Sequence, residues 1–475
     1  MSAKIKFGTD GWRAVIADDF TFSNVRACAQ GVVDYLKGIG SGAKGIVIGY
    51  DTRFASEDFA AAAAEVLAGN GIKVYLFPKP APTPVTSYTV TAMKADGAIM
   101  LTASHNPGNY NGFKYKVETG SSAPSEVVSL IEENTNAVIK TAAEPRRIDI
   151  SDAIRKKMIV YHDPYISYAK HLNKLIDIEA LKRHPLKIVV DSMFGAGIGY
   201  FKNLLDGGKI EVHEINKVRN PLFPGIQPEP INKNLGKLAR YVIRDNAVIG
   251  FATDGDADRI GVMDENGTYL NTQEVFALLA LYFLEIRKER GAIVKTLTST
   301  DMLFTLGQIY KVPVFETPVG FKYVAPIMMQ ENALLGGEES GGYGFRGHIP
   351  ERDGILAGLY LLDLIIKTGK TPSQLLADLF KKVGPHYYDR IDIHIVEDAK
   401  RDMIERMTKN KPDRIGALKV VNLDTRDGFR YKLEDGSWML VRFSGTEPLI
   451  RIYAESSSRQ EVQNLLQQGR EILGG

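Results

Sequence analysis

The chain of 475 residues holds a single cysteine, Cys28. An intrachain disulfide is therefore impossible, and a cysteine-rich zinc site is excluded. Its eight histidines are scattered, with no spacing of the His-Glu-x-x-His kind. No run of roughly 18 apolar residues occurs, and the opening MSAKIKFGTDGWRA has no apolar stretch, so neither a membrane span nor an export signal is expected. Charge of one sign is also nearly lacking: 59 basic against 57 acidic side chains leave a net +2. No global field then recruits nucleic acid or an anionic membrane, and an anionic ligand has to be captured locally by a few placed cations. A reducing, cytoplasmic setting is expected.

What is present is an ordinary globular balance, 44% apolar and 24% charged. At roughly 100–200 residues per domain the length implies three or four domains. A repeat shows in the order of elements rather than in letters. GIVIGYDTR (45–53), a helix near 57–69, IKVYLFPKPAP (72–82) and GAIMLTASHNP (97–107) form the first unit. KIVVDSMFGAG (187–197), IEVHEI (210–215) and AVIGFATDGDADR (247–259) form the second. AIVKTLTST (292–300), VPVFETPVGF (312–321) and NALLGGEESGG (332–342) form the third. Short apolar runs alternating with helical patterns predict mainly parallel α/β layers. Each unit carries an unusual polar loop after its third run, where ligands gather in such sheets. After residue 385 the pattern changes to a small sheet closed by an amphipathic helix, SSRQEVQNLLQQGREIL; 118–165 reads as helix and linker. The expectation is three similar mixed or parallel α/β domains (1–145, 146–262, 263–383) and a smaller α+β domain (384–475) around a central cleft.

Four motifs carry chemistry. In TASHNPGNYNGFK (102–114), Ser104 stands on a tight loop beside His105, with Lys114 downstream. A phosphorylated serine is a good phosphoryl donor, although Asn-Pro alone also marks a plain turn. In ATDGDADR (252–259), Asp254, Asp256 and Asp258 alternate, so an extended segment points them one way. Clustered carboxylates repel unless a cation sits among them, and hard oxygen ligands suit Mg²⁺ or Ca²⁺. An EF-hand fails because its sixth position would be Arg259, not glycine. Arg259 reads as an anchor for a phosphate oxygen. In GGEESGGYGFRGHIPERDG (336–354), Glu338 and Ser340 offer acceptors for sugar hydroxyls, and His348 reads equally as a phosphate cap or a surface residue. In VRFSGTEPLIRIYAE (441–455), Arg442, Ser444, Gly445, Thr446 and Arg451 suit the cradle of a phosphate monoester, although Arg451 alone also reads as a solvated strand charge. Arg13, Arg53, Lys295, and Gly320 with Lys322 are weaker signals, each by default a surface cation or a turn.

Taken together and in order, FGTDGWR, TASHNP, DGDADR, GEESGG and RFSGTEP resemble the α-D-phosphohexomutases, the phosphoglucomutases and phosphomannomutases, over nearly the whole chain. The resemblance implies three similar α/β domains and a smaller fourth. It implies Ser104 as the phosphoserine, also a metal ligand, with Asp254, Asp256 and Asp258 holding Mg²⁺. Arg259 would lie beside the phosphoserine, and His105 and Lys114 would serve proton transfer and phosphoryl stabilisation. Glu338 and Ser340 would touch sugar hydroxyls. Arg442, Ser444, Gly445, Thr446 and Arg451 would hold the non-transferring phosphate. Arg13, Lys295, Gly320, Lys322 and His348 are further substrate-binding candidates. A hexose phosphate is then the partner, glucose 1,6-bisphosphate the phosphorylating activator, and the chain a monomer or homodimer. One departure is Phe443, where the family usually has proline. Gly-Glu-Glu-Ser resembles the glucose-preferring members. The rivals are a mannose or bifunctional glucose/mannose mutase, less so a glucosamine-phosphate mutase. Outside that class stand a sugar-phosphate-binding protein without catalysis and a metal-dependent phosphatase.

Overall fold

In the computed structural model, residues 4–8, 10–141, 144–395, 397–409, 411–443 and 449–473 are described. The three apolar runs of each unit become strands in the same relative places. Strand Ile46–Tyr50, buried at every position, lies parallel between Val74–Leu76 and Gly97–Leu101. A strand covered on both faces reads as a continuous apolar run rather than an alternating one. Lys187–Asp191 lies likewise between Glu211–Ile215 and Ile249–Thr253, and Ile293–Thr296 between Val314–Thr317 and Leu335–Gly337.

In every unit the chain then turns back as an antiparallel strand beside the third run: Tyr110–Val117, Ile260–Met263 and Tyr343–Phe345. The three polar loops are the turns of these hairpins. The sequence pattern did not disclose the return strands, because Tyr110–Val117 carries Asn111 and Gly112 and the third is only three residues long. The first sheet also gains Trp12–Val15 at one edge and Ile159–Tyr161 at the other. The segment read as linker thus contributes a strand to the first sheet, beyond residue 145.

Helices begin where caps are available. Thr21 accepts from Asn24 N at the head of Phe22–Gly38. Asn271 and Glu274 form a capping box on Thr272–Leu281, and Asp353 caps Gly354–Thr368. The fourth unit is a six-stranded antiparallel sheet, Tyr387–His394 to Arg414–Ile415 by way of the strands between, with helices Glu397–Lys409 and Arg459–Leu473. The first of these helices carries few apolar residues and no strong sequence signal.

Most buried apolar side chains of the first three units join in one cluster, with a smaller separate cluster in each of the second and third, whereas the fourth has its own. Between the third and fourth the apolar contact is small: Leu297 against Trp438, Leu440 and Tyr453. Among the described residues no helix is long and apolar enough to cross a membrane.

Candidate active site

The hairpin turns of the first two units meet. Ser104 is 1% exposed, and its Oγ donates to Asp254 Oδ2 at 2.8 Å, from a residue 150 positions away. His105 Nδ1 lies 3.4 Å from the same Oγ. Ser104 has φ of 52°, in the left-handed region where a side chain is strained. Ser104 N donates to Thr102 Oγ1 at 2.8 Å, which fixes the turn. Gly255 makes the meeting possible: a Cβ there would stand 2.3 Å from the Ser104 carbonyl oxygen.

Arg53 holds this turn from beneath. Its guanidinium, fully buried, donates to four carbonyls: Ser104 at 2.7 Å, Asn106 at 2.7 Å, Pro107 at 2.7 Å and Tyr110 at 2.9 Å. Its Nε pairs with Asp51 Oδ2 at 3.0 Å. Arg219 and Phe223 of the second unit cover it, the first bonding the Thr52 and Arg53 carbonyls, the second presenting its ring 5.1 Å from the guanidinium. By sequence Arg53 was only a default surface cation. Arg53→Met should therefore take the guanidinium donors from four carbonyls and the ion pair from buried Asp51, which would keep Ser56, Thr102 and the residue-53 amide as its neutral donors. We expect a loss of about 3–5 kcal/mol in a chemical melt, and a fall in turnover of about 10²-fold from displacement of Ser104. Near-wild-type turnover would show that the turn holds without it.

The carboxylates of Asp254, Asp256 and Asp258 are fully buried, and their oxygens lie within 4.8 Å of one another. Lys114 Nζ sits 3.0 Å from Asp256 Oδ2 and 2.8 Å from Asp10 Oδ2. Thr83 Oγ1 donates to the same Asp256 oxygen at 2.7 Å. Arg352 pairs with Asp258 at 2.7 Å and reaches Glu338 at 3.3 Å, Glu351 at 3.1 Å and Asp10 at 3.5 Å. Burial, then Asp256 and Asp258, push the Asp254 carboxyl well above the usual range. Burial would raise Asp256 too, but Lys114 and Thr83 outweigh it and hold that carboxyl low. Burial would lower Lys114, but Asp10 and Asp256 raise it, so it is a firm cation. Burial, with Arg259 and Arg13 near, holds the His105 imidazole well below its usual value.

Three comparisons bear on this site. Profiles of the phosphoglucomutase/phosphomannomutase family match in order: alpha/beta/alpha domain I over residues 4–142, domain II over 163–267, domain III over 271–383 and the C-terminal domain over 397–472. The chain belongs to the phosphoglucomutase/phosphomannomutase family. A phosphoglucomutase/phosphomannomutase of Thermococcus kodakarensis is 31% identical over 467 residues, 98% of each chain. A probable phosphoglucosamine mutase of Methanosphaera stadtmanae is also 31% identical, over 471 residues and 98% of each chain. The crystal structure of a putative phosphomannomutase from Thermus thermophilus superposes over 100% of both chains, with a TM-score of 0.86 and 36% identity.

As a member of this phosphomutase family, the protein brings residues from domains I, II and III to one place. Ser104, His105, Lys114, Arg259 and the three aspartates adjoin one another. Arg259 Nε lies 3.8 Å from Asp258 and 4.0 Å from Asp254. Arg13 donates to Asn106 Oδ1 at 2.8 Å, at the edge of the serine turn. Glu338 joins through Arg352, and burial raises its carboxyl to about 7 against the pull of that arginine. Ser340 Oγ is buried and accepts or donates no hydrogen bond among the described residues. A Cβ at Gly342 would stand 2.3 Å from Arg352 Cδ, so this glycine makes room for the arginine rather than for a ligand. Gly320 (φ 128°) begins the helix Phe321–Gln330, and Lys322 Nζ reaches Ser125 Oγ at 3.0 Å.

Two candidates are placed otherwise than expected. Lys295 is fully buried, with its ammonium bonded to the Ser299 carbonyl and Asp301 at 2.8 Å each and lying 3.1 Å from Glu316. A buried ammonium needs such partners, and these commit it to the contact between domains III and IV. His348 is not a surface residue: its ring lies between Asp353 at 2.8 Å and His171 at 3.0 Å, with its side chain fully buried. Arg442 and Arg451 stand paired across adjacent strands of domain IV. Ser444, Gly445 and Thr446 lie outside the described residues. Asp10, Thr83, Glu351 and Arg352 were not foreseen individually. The only signals were that Asp10 lies in GTDGWR, and Glu351 and Arg352 in the third motif.

The aspartate cluster suits a hard divalent cation. Asp256 Oδ1 and Asp258 Oδ1 are buried and accept no hydrogen bond from any described residue. Buried carboxylate oxygens without donors are costly, and a cation coordinated by oxygen removes that cost.

Proposed function

We propose that the protein interconverts hexose 1-phosphate and hexose 6-phosphate, glucose preferred, through phospho-Ser104 and a 1,6-bisphosphate. The observation that carries this reading is the strained, clamped Ser104 hydroxyl 2.8 Å from a buried three-aspartate cluster on another domain. Mg²⁺ held by Asp254, Asp256 and Asp258 with the serine would neutralise charge on the transferring group.

In the first transfer the bond from Ser104 Oγ to phosphorus breaks, and a bond from the sugar's free hydroxyl to phosphorus forms. Lys114, bound to two carboxylates, supplies positive charge rather than a lone pair. The hydroxyl's proton passes by way of His105 Nδ1, 3.4 Å from Ser104 Oγ, to that oxygen as it leaves phosphorus, so the serine departs as a neutral hydroxyl. Arg259 faces the same charge. After the bisphosphate turns over in the cleft, its other phosphate returns to Ser104 Oγ, whose proton passes back through His105 to the departing sugar oxygen. Glu338 and Ser340 hold sugar hydroxyls. Arg442, with Ser444, Gly445, Thr446 and Arg451, grips the idle phosphate. Glucose 1,6-bisphosphate phosphorylates Ser104 in the resting protein.

Glucose preference rests on Gly-Glu-Glu-Ser at 337–340. A second reading, turnover of mannose or glucosamine phosphates, is favoured by relatives bearing those names. Turnover of glucose, mannose and glucosamine 1-phosphates should rank glucose first by about tenfold or more in kcat/KM. Mannose or glucosamine leading would replace the sugar assignment and leave the phosphoserine mechanism standing. Intact mass before and after glucose 1,6-bisphosphate, with peptide mapping, should place one phosphate on Ser104. No phosphate there in either state, with Mg²⁺ present, would overturn the mechanism.

A further inference from the structure

Domain IV docks on domain III mainly through charge. Arg430 pairs with Asp301 at 2.8 Å and with Glu316 at 3.0 Å, and its guanidinium lies 4.6 Å from the Trp438 ring. Arg426 pairs with Glu316 at 2.9 Å and bonds its carbonyl at 3.0 Å. Lys432 pairs with Asp301 as well. Between these anchors the turn that joins Leu418–Asp424 to Phe429–Leu433 carries Asp427, which anchors nothing of that kind. Its Oδ2 accepts from Val319 N of domain III at 2.9 Å, and its Oδ1 accepts from Arg442 Nε at 3.0 Å. Gly428 (φ 103°) lets the turn press on the neighbouring strand: a Cβ there would stand 2.5 Å from the Val441 carbonyl oxygen and 3.1 Å from Arg442 Cα.

One carboxylate thus joins two parts of the molecule that the chemistry uses separately. Val319 precedes Gly320, where the domain III helix begins, and Arg442 opens the phosphate motif of domain IV. Arg442 is 15% exposed and Asp427 22%, so their bond is partly shielded from water and retains strength. A guanidinium bonded sideways through Nε is restricted in its orientation, and its forked end is left as the part that matches a phosphate.

We propose that Asp427 is a positioning residue that aims Arg442 at the idle phosphate of the substrate and ties that aim to the Val319–Gly320 turn of domain III. This rests on the mutase reading above for the identity of the phosphate. The ion pairs of Arg426, Arg430 and Lys432 do not involve Asp427, so they remain to dock the domain when it is replaced.

The test is a double-mutant cycle with glucose 1-phosphate, read as KM and kcat and, without turnover, as calorimetric Kd. Asp427→Asn should raise KM and Kd about tenfold, with kcat changed less than about threefold. In an Arg442→Ala background the same substitution should add nothing further. Asp427→Glu, which restores the charge, should recover part of the affinity. An unchanged KM, or an equal increase in the Arg442→Ala background, would overturn the proposal. A parallel fall in kcat and melting temperature would also overturn it, as a merely structural role. If the asparagine variant fails to fold, Asp427→Ser, which can still accept one bond, runs the same cycle. Absence of turnover in the wild type would sink the mutase reading alone, since the calorimetric cycle still tests Asp427.

Discussion

Ser104→Ala is expected to lower mutase turnover by on the order of 10⁴-fold or more, while glucose 1-phosphate binding stays within a few-fold. The two effects separate because of what the side chain does in the structure. Its Oγ makes the bond to Asp254 and faces His105, and is the atom proposed to carry the phosphoryl group. The turn itself is held through backbone groups: Arg53 bonds carbonyls, and Thr102 bonds the Ser104 amide. Alanine keeps all of these. The variant should therefore fold, bind and fail to react, and mass spectrometry should find no phosphate at this position. Turnover within tenfold of wild type would remove Ser104 as the phosphoryl carrier.

Removal of divalent metal should be nearly as severe. Dialysis against a chelator is expected to reduce turnover by about 10³-fold, with recovery on adding Mg²⁺. Asp256→Asn should show the same loss without recovery. The metal-free protein should also carry a pH signature of its own. Asp256 is held below its ordinary value, so its contribution to stability is lost as pH falls through that low folded value. Asp254 and Asp258 are raised, chiefly by burial, so the folded state holds protons that the unfolded chain has released. Their sign is opposite: stability falls as pH rises from the ordinary carboxyl value of about 3.9 towards the raised ones. Thermal melts across that window should decline without metal and flatten with Mg²⁺. A melt that ignores metal throughout would remove the cation from this cluster.

Much of this was legible in one dimension. The three-run repeat, the helix over Ser56–Gly69 and the closing helix follow from apolar periodicity, and periodicity is a local property of the chain. The motifs around Ser104, the aspartates, Glu338 and Arg442 were visible for a similar reason. Each gathers its candidate groups within a few residues of the chain. The sequence by itself therefore determined the fold class and the family, and marked the loops to which the chemistry is assigned.

The tertiary structure decided the partners. Arg53 looked like any surface cation until four carbonyls closed around it. Lys295 and His348 looked available until burial bound them to Asp301, Glu316 and Asp353. Asp10 and Lys114 are 104 residues apart, and Asp258 and Arg352 are 94 apart, yet each pair shares a salt bridge. Whether a charged side chain is a free ligand or a structural counter-ion depends on which opposite charges desolvation forces upon it. That choice is made only when distant segments pack, so no pattern along the chain records it.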